Sequence, residues 1–235
     1  MAKTVAALNI AATISLAGRV KQPRPQPVPM RVGGFGGAAG LADWLRANAI
    51  SHVVDATHPF AAQISRNALA ACQQAKVPLL TLTRPRWAAM PGDRWTHVAD
   101  IPAAAAALRQ PALRIMLAIG RMHLDQFAIN PQHFYLLRLV DTPDAVLPLP
   151  KAEVIIDRGP FSEADDRDLL LKHEIQLVVT KNAGGDAAYS KIAAARSLGL
   201  PVLMIDRPAM PARPEVHDIG SVLDWIAHPG TDLGV

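Results

Sequence analysis

Residues Val32–Gln63, VGGFGGAAGLADWLRANAISHVVDATHPFAAQ, contain two loops of the kind that end a strand and open a helix. Gly33, Gly34, Gly36 and Gly37 fall within five positions directly after Met30-Arg31-Val32. Asp55-Ala56-Thr57-His58-Pro59-Phe60 follows the apolar run His52-Val53-Val54. A helix that starts at the mouth of a strand presents unpaired N–H groups and the positive end of its dipole, which attracts anions. Glycines there admit positive φ and let a ligand approach the backbone. The stretch reads as one wall of a cofactor site.

Outward from it the chain alternates short strands and helices, which predicts an α/β fold with a parallel sheet and helices on both faces. Expected before the glycine loop are the tail of a helix at 2–8, a strand at 10–16 and an extended Pro-rich connection at 22–29. Beyond it come helices at 41–48 and 61–74, strands at 53–54 and 79–82, a loop at 87–95 and a helix at 101–108. Gln110-Pro111 marks the expected lobe boundary, giving lobes 1–110 and 111–235. The second lobe is expected to hold strands at 115–119, 134–140, 154–156, 177–180 and 202–205, with helices near 122–128, 162–173, 186–198 and 220–227. Ser162 followed by Asp165 has the form of an acidic capping box.

An internal repeat supports the two lobes. Val53–Pro85 and Val178–Pro208 share a Val-Val strand, a polar loop (DATHPF or TKNAGG), an Ala-rich helix and a turn into a second strand. Pro78-Leu-Leu-Thr-Leu-Thr-Arg84-Pro85 and Pro201-Val-Leu-Met-Ile-Asp-Arg207-Pro208 align without a gap. Ligands of open α/β sheets bind beyond the carboxyl ends of the strands, so both polar loops are expected to line the cleft.

Half of the 235 residues are hydrophobic and only 5% aromatic, a globular composition. The net charge of +4 and pI near 9.5 point to an anionic partner. Without a Lys/Arg run or interleaved stacking aromatics, that partner is a small polyanion rather than nucleic acid. The single cysteine, Cys72, excludes an internal disulfide and fits a core position in a reducing cytoplasm. No apolar run has membrane-spanning length. The eight histidines show no paired metal-ligand spacing, and neither a nucleophile elbow nor a P-loop is present.

Gly34-Phe35-Gly36-Gly37-Ala38-Ala39 fits G-x-G-x-x-A, with Asp55 19 residues beyond Gly36. Phosphate or nicotinamide contact competes there with a purely structural tight turn. Thr57 is either a ligand contact or a helix cap, with Pro59 as first helical residue. His58 is either functional at a strand's carboxyl end or a hydrogen-bonded packing histidine. Lys181, in Thr180-Lys181-Asn182-Ala183-Gly184-Gly185, ends a buried strand and needs an anion, from a ligand or a salt bridge. Tyr189 and Lys191 are solvated or face the cleft. Arg19, Arg121 and Arg158 each follow a strand and together make a possible carboxylate-binding rim, though each alone reads as a surface residue.

RVGGFGG, VVDATHPFAAQIS, LAIGR, RGPFSEADDRDLLLKH, VVTKNAGG with AAYSKIAAARSLGLPV, and the two Arg-Pro strand ends resemble the precorrin-6A reductase family of cobalamin biosynthesis, from about Ser15 to Trp225. The resemblance implies an α/β fold of two Rossmann-like lobes with parallel sheets and a cleft between them, and a cytoplasmic oxidoreductase acting on CH–CH bonds, reducing the precorrin-6A macrocycle to precorrin-6B with NADPH. It implies cofactor contacts at Gly33, Gly34, Phe35, Gly36, Gly37, Thr57, His58, Lys181, Asn182, Gly184 and Gly185. The anionic tetrapyrrole would meet Arg19, Arg121, Arg158, Lys181 and Tyr189, with His58 or Lys181 at the catalytic centre and no metal. Family members begin with a strand and Gly-Gly-Thr loop that this sequence lacks, so a gap or open edge is expected in the first sheet. A two-lobed small-anion binding protein and a nucleotide-sugar transferase are the competing readings. The sequence assigns no oligomeric state.

Overall fold

The computed structural model describes residues 1–18, 23–143 and 145–228. The chain divides into two compact units: 1–57, 61–83 and 210 onward form the first, 58–60 and 84–209 the second.

The second unit is built on six parallel strands: β5 (Arg94–Val98), β6 (Arg114–Ala118), β7 (Phe134–Leu139), β8 (Ala152–Ile156), β9 (Leu177–Lys181) and β10 (Pro201–Ile205). Their order is β5-β10-β9-β6-β7-β8. Central strands buried on both faces read as continuous apolar runs, as IMLAI, LVV and VLMI do here. Alternate residues then serve opposite cores. Leu117, Leu137, Val179 and Leu203 pack with Ile101, Leu108 and Phe127 on one side. Met116, Leu136, Val178 and Met204 pack with Leu170, Ile192 and Ala195 on the other. The helices of these layers are α4 (Ile101–Ala107) and the 3-10 segment Arg121–Phe127 on the first side, α5 (Glu163–Lys172) and α6 (Ser190–Ser197) on the second. The capping box is present in full: Ser162 Oγ accepts from the Asp165 N–H while the Asp165 carboxylate accepts from the Ser162 N–H.

The first unit carries two separate parallel ladders among the described residues. One pairs β1 (Ile14–Leu16) with β2 (Met30–Val32); the other has the order β11-β4-β3, from β3 (Val53–Asp55), β4 (Leu79–Leu82) and β11 (Glu215–Val216). No strand joins them among the described residues. Helices α2 (Gly37–Ala47) and α3 (Ala62–Ala75) pack on each other through Ala42, Leu45, Ala71 and Cys72. The remaining helices are α1 (Ala2–Ala7) and α7 (Ile219–Ala227).

The division does not fall at Gln110-Pro111. β5 and α4 precede that point yet belong to the second unit, and β11 follows it yet belongs to the first. The ladders β3-β4-β11 and β9-β10-β5 repeat one plan, and each takes its last strand from the other half of the sequence. The repeat extends to single bonds: Thr83 N–H donates to Val216 O at 3.0 Å, and Asp206 N–H to Val98 O at 2.8 Å. The expected loop at 87–95 gives way to β5 from Arg94 on. As an edge strand it leaves Arg94, Thr96 and His97 exposed and offers no apolar run to detect. The expected strand at 10–16 is confined to Ile14–Leu16.

Candidate active site

In the first unit, β2 runs into the glycine loop and the loop into α2. Gly33, Gly36 and Gly37 have φ of 120°, 80° and 93°, values that strain any residue bearing a Cβ. A Cβ built on Gly33, Gly34, Gly36 or Gly37 would meet no heavy atom within 4 Å. The glycines are therefore conformationally required and face open space, leaving the backbone approachable. Helix α2 starts there with no side-chain cap and no acidic residue in its first turn. Arg31 organises the loop from below. Its guanidinium donates to Ser15 Oγ at 2.9 Å, Gly33 O at 3.0 Å and Gly34 O at 3.1 Å, and lies 3.7 Å from the centre of the Phe35 ring. Phe35 meets Trp44 edge-on at 5.4 Å. With carbonyls held by Arg31, the loop's N–H groups and the bare α2 terminus suit a phosphate.

Thr57 ends the first unit's share of DATHPF. Its N–H donates to Asp55 Oδ1 at 3.1 Å and its hydroxyl pairs with Ser65 Oγ at 3.0 Å. It does not cap α3, which begins at Ala62 after an Ala61 cap, so Pro59 is not the first helical residue either. Cys72 is buried among apolar neighbours, and burial, aided by Asp55, pushes its thiol up to about 11. It is an inert core group.

His58, Phe60, Lys181, Asn182, Gly184, Gly185, Arg121, Arg158 and Tyr189 all belong to the second unit. Its chain runs outward from β6 to β7 and β8, then returns to β9 and β10, so the connection direction reverses between neighbours β6 and β9. Such a switch point leaves a crevice at the carboxyl ends of the two strands. Lys181 ends β9 there, and its ammonium donates to Ile119 O, just beyond β6, at 3.1 Å. The same ammonium lies 5.3 Å from the centre of the Phe60 ring.

His58 stands beside this lysine. The Phe60 N–H donates to its Nδ1 at 3.2 Å, which places the neutral ring's proton on Nε2. Desolvation by the surrounding protein lowers its pKa, reinforced by the Arg84, Lys181 and Arg207 cations, to about 4. His58 is an exposed residue, so the three cations matter as an approachable positive field rather than as a sealed cluster.

The rest of TKNAGG is committed to the protein itself. Asn182 Oδ1 accepts from the Trp87 N–H at 2.9 Å and its Nδ2 donates to Trp87 O at 3.0 Å. The Trp87 indole N–H donates to Gly185 O at 2.9 Å. At Gly184, φ +70°, an added Cβ would lie 2.1 Å from Pro85 O and 2.4 Å from Arg207 Nη2; at Gly185, φ +71°, it would lie 2.5 Å from Arg84 Cδ. These glycines accommodate the two Arg-Pro motifs. Asn182, Gly184 and Gly185 thus each have a packing role within the second unit.

Arg158 is paired with Asp141 at 2.7 Å. Arg121 opens the 3-10 segment after Gly120, and Arg19 lies outside the described residues. Tyr189 donates its hydroxyl to Met90 Sδ at 3.3 Å and accepts from Arg196 Nη1 at 2.9 Å, which engages it within the fold. Lys191 lies against Trp87, with its ammonium donating to Ala188 O at 2.5 Å and burial lowering its pKa to about 8. Arg84 and Arg207 carry site electrostatics that the sequence reading left unassigned. The gapless alignment of the two Arg-Pro strand ends was the signal that marked them.

The profile of the family described as Precorrin-6x reductase CbiJ/CobK matches residues 1–227. The chain belongs to the precorrin-6x reductase family. It is 54% identical to the precorrin-6A reductase of Rhodobacter capsulatus over 100% of this chain and 94% of that protein. It is 49% identical to that of a Sinorhizobium species over 92% of this chain and 82% of the relative. A solved CobK precorrin-6A reductase superposes with a TM-score of 0.93 at 54% identity, covering 100% of this chain and 94% of that one. Among the described residues no helix is long and apolar enough to cross a membrane.

Proposed function

We propose that this protein reduces precorrin-6A to precorrin-6B with NADPH, in the cytoplasm, as a step of cobalamin synthesis. What carries the reading is the near-complete match to proteins named precorrin-6A reductase, on a chain whose glycine loop is open to a phosphate. When bound, NADPH supplies a hydride. Gly33, Gly34, Phe35, Gly36 and Gly37, with the α2 terminus behind them, would hold its phosphates, and Thr57 lies just beyond β3. His58 and Lys181 serve the reacting end. Lys181 brings a fixed positive charge toward a carboxylate-rich macrocycle, consistent with the net charge of +4. A proton must also reach the reduced carbon, from His58, Lys181 or water. Asn182, Gly184 and Gly185 hold the loop that carries Lys181.

The test is anaerobic incubation with precorrin-6A and either NADPH or NADH. NADPH oxidation coupled to a change in the macrocycle spectrum is expected, with NADH at least tenfold poorer. Failure to oxidise NADPH in the presence of precorrin-6A sinks the proposal. Lys181→Ala is expected to raise the KM of NADPH or of precorrin-6A at least tenfold.

A further inference from the structure

The sheet of the second unit ends at β8, which among the described residues pairs on one side only, with β7. Lys151 O accepts from the Tyr135 N–H at 2.8 Å, and the Asp157 N–H donates to Leu139 O at 2.9 Å. Alternation along the strand then turns the backbone of Lys151, Glu153, Ile155 and Asp157 toward β7. It turns the N–H and C=O groups of Ala152, Val154 and Ile156 outward. None of these outward positions is a proline or a charged residue, and the β7–β8 register runs without a bulge, so the usual protections of an open edge are missing there. Ile156 is 47% exposed, and Val140, one residue past its β7 partner Leu139, is 50% exposed. The opposite edge is better guarded. On β5 the bond from the Asp206 N–H to Val98 O leaves only Trp95 and His97 outward, and His97 is paired with Asp206 at 2.8 Å.

We propose that this edge joins a second copy of the chain, with β8 running antiparallel to the partner's β8 about a two-fold axis through Val154. In that register Val154 faces its own copy, and Ala152 of each protomer faces Ile156 of the other. All the outward groups then exchange N–H···O bonds, and the two six-stranded sheets become continuous. The same register sets Lys151 of each protomer opposite Asp157 of the other, and both residues are exposed. Opposite charges directly across an antiparallel pair attract, and like charges there repel. Sliding the strands by two residues in one direction sets Glu153 against its own copy. Sliding them in the other direction sets Glu153 against Asp157. Either shift also gives up the backbone bonds of one outward residue in each strand. The charges on β8 therefore select one register. A strand with a cation before it, an anion after it and an apolar outward row is self-complementary when reversed, which makes the partner this chain itself. The proposal does not rest on the reductase reading.

The experiment is sedimentation velocity on the full chain, without reactants, at rising protein concentration. A species of twice the 25.1 kDa chain mass is expected to form reversibly. Val154→Pro removes an outward N–H and no bond of the β7 ladder. It should stay folded by circular dichroism and sediment as a monomer at concentrations where the wild type is dimeric. Lys151→Asp and Asp157→Lys, each alone, set like charges opposite each other and should raise the dissociation constant about tenfold. Mixed in equal amounts, these two variants should form a heterodimer tighter than either homodimer, because every charge again meets its opposite. Simple destabilisation by either substitution would not give that recovery. A wild-type chain that stays monomeric up to about 100 μM, weaker than a specific interface requires, overturns the proposal. So does a dimer that Val154→Pro leaves intact, since it must use another surface. Failure of the mixed charge variants to recover association overturns the register and the proposal with it. If Val154→Pro does not fold, the two charge variants, at exposed positions, decide the matter alone.

Discussion

At Gly33, Gly34, Gly36 and Gly37 an added Cβ meets nothing within 4 Å, whereas at Gly184 and Gly185 it lands 2.1 Å from a carbonyl oxygen and 2.5 Å from an arginine carbon. Both loops follow a strand, precede a helix and hold glycines at positive φ. In the first loop the missing side chains leave room for something outside the chain. In the second the chain fills that room itself, with Pro85, Arg84 and Arg207. A glycine-rich loop after a strand therefore carries two meanings, and the contents of the space beside each glycine separate them. The glycines of the second loop are therefore required by packing within the chain itself.

The sharpest way to break this comparison is Gly184→Ala. Its methyl group collides with backbone, and backbone cannot rotate away as a side-chain tip can. Loss of about 3 kcal/mol or more is expected from overpacking plus left-handed strain. Denaturant unfolding reads it directly, and an unchanged midpoint would show that the loop is not packed against Pro85 as described. Asn182→Ala comes next, because it orphans the buried N–H and C=O of Trp87 that its side chain pairs with. Two lost hydrogen bonds with buried partners predict about 2–3 kcal/mol of destabilisation. NADPH affinity of the folded fraction should hold within about a factor of three; a loss greater than tenfold would restore Asn182 as a direct ligand contact. Gly36→Ala reverses the pattern. Stability should fall by only about 1 kcal/mol, the cost of a left-handed alanine, while NADPH affinity falls at least tenfold. Unaltered affinity would remove the glycine loop from the cofactor site.

The sequence was most legible where burial is two-sided. The strands around Met116, Val178 and Leu203 stand out as apolar runs, and their positions match to within a residue or two at most ends. The gapless Arg-Pro repeat was legible as well, and it proved to relate two ladders of the same plan. What could not be read was where each repeat sends its last strand. β5 shows RWTHV, half exposed at a sheet edge, and β11 is only Glu215-Val216, so neither carries a periodic signal. The site divides in the same way. The glycine loop and His58 announced themselves by their place after a strand. The role of Arg84 depends on Gly185 beneath its stem and on Arg207 anchoring its backbone, contacts between residues about a hundred positions apart that no local pattern encodes.

The smallest expected effect concerns His58 and tests whether the second loop's charges face an approachable space. Its pKa of about 4 lies below the ordinary histidine value of 6.5, so between those values the unfolded chain binds more protons than the folded one. Stability therefore rises with pH across that window: it is fully present above about pH 6.5 and lost progressively as pH falls toward 4. Because the ring is partly exposed, solvent screening trims the effect to a shallow slope, best seen as a difference between variants. Across pH 4 to 7 the unfolding midpoint of the wild-type chain should fall relative to that of His58→Gln toward the acid end if His58 is the group whose protonation is resisted. Arg84→Met should flatten the wild-type slope part of the way, since it removes one of the three cations. If the two curves stay parallel throughout, the cations do not act on His58, and the second loop's positive field must be directed elsewhere.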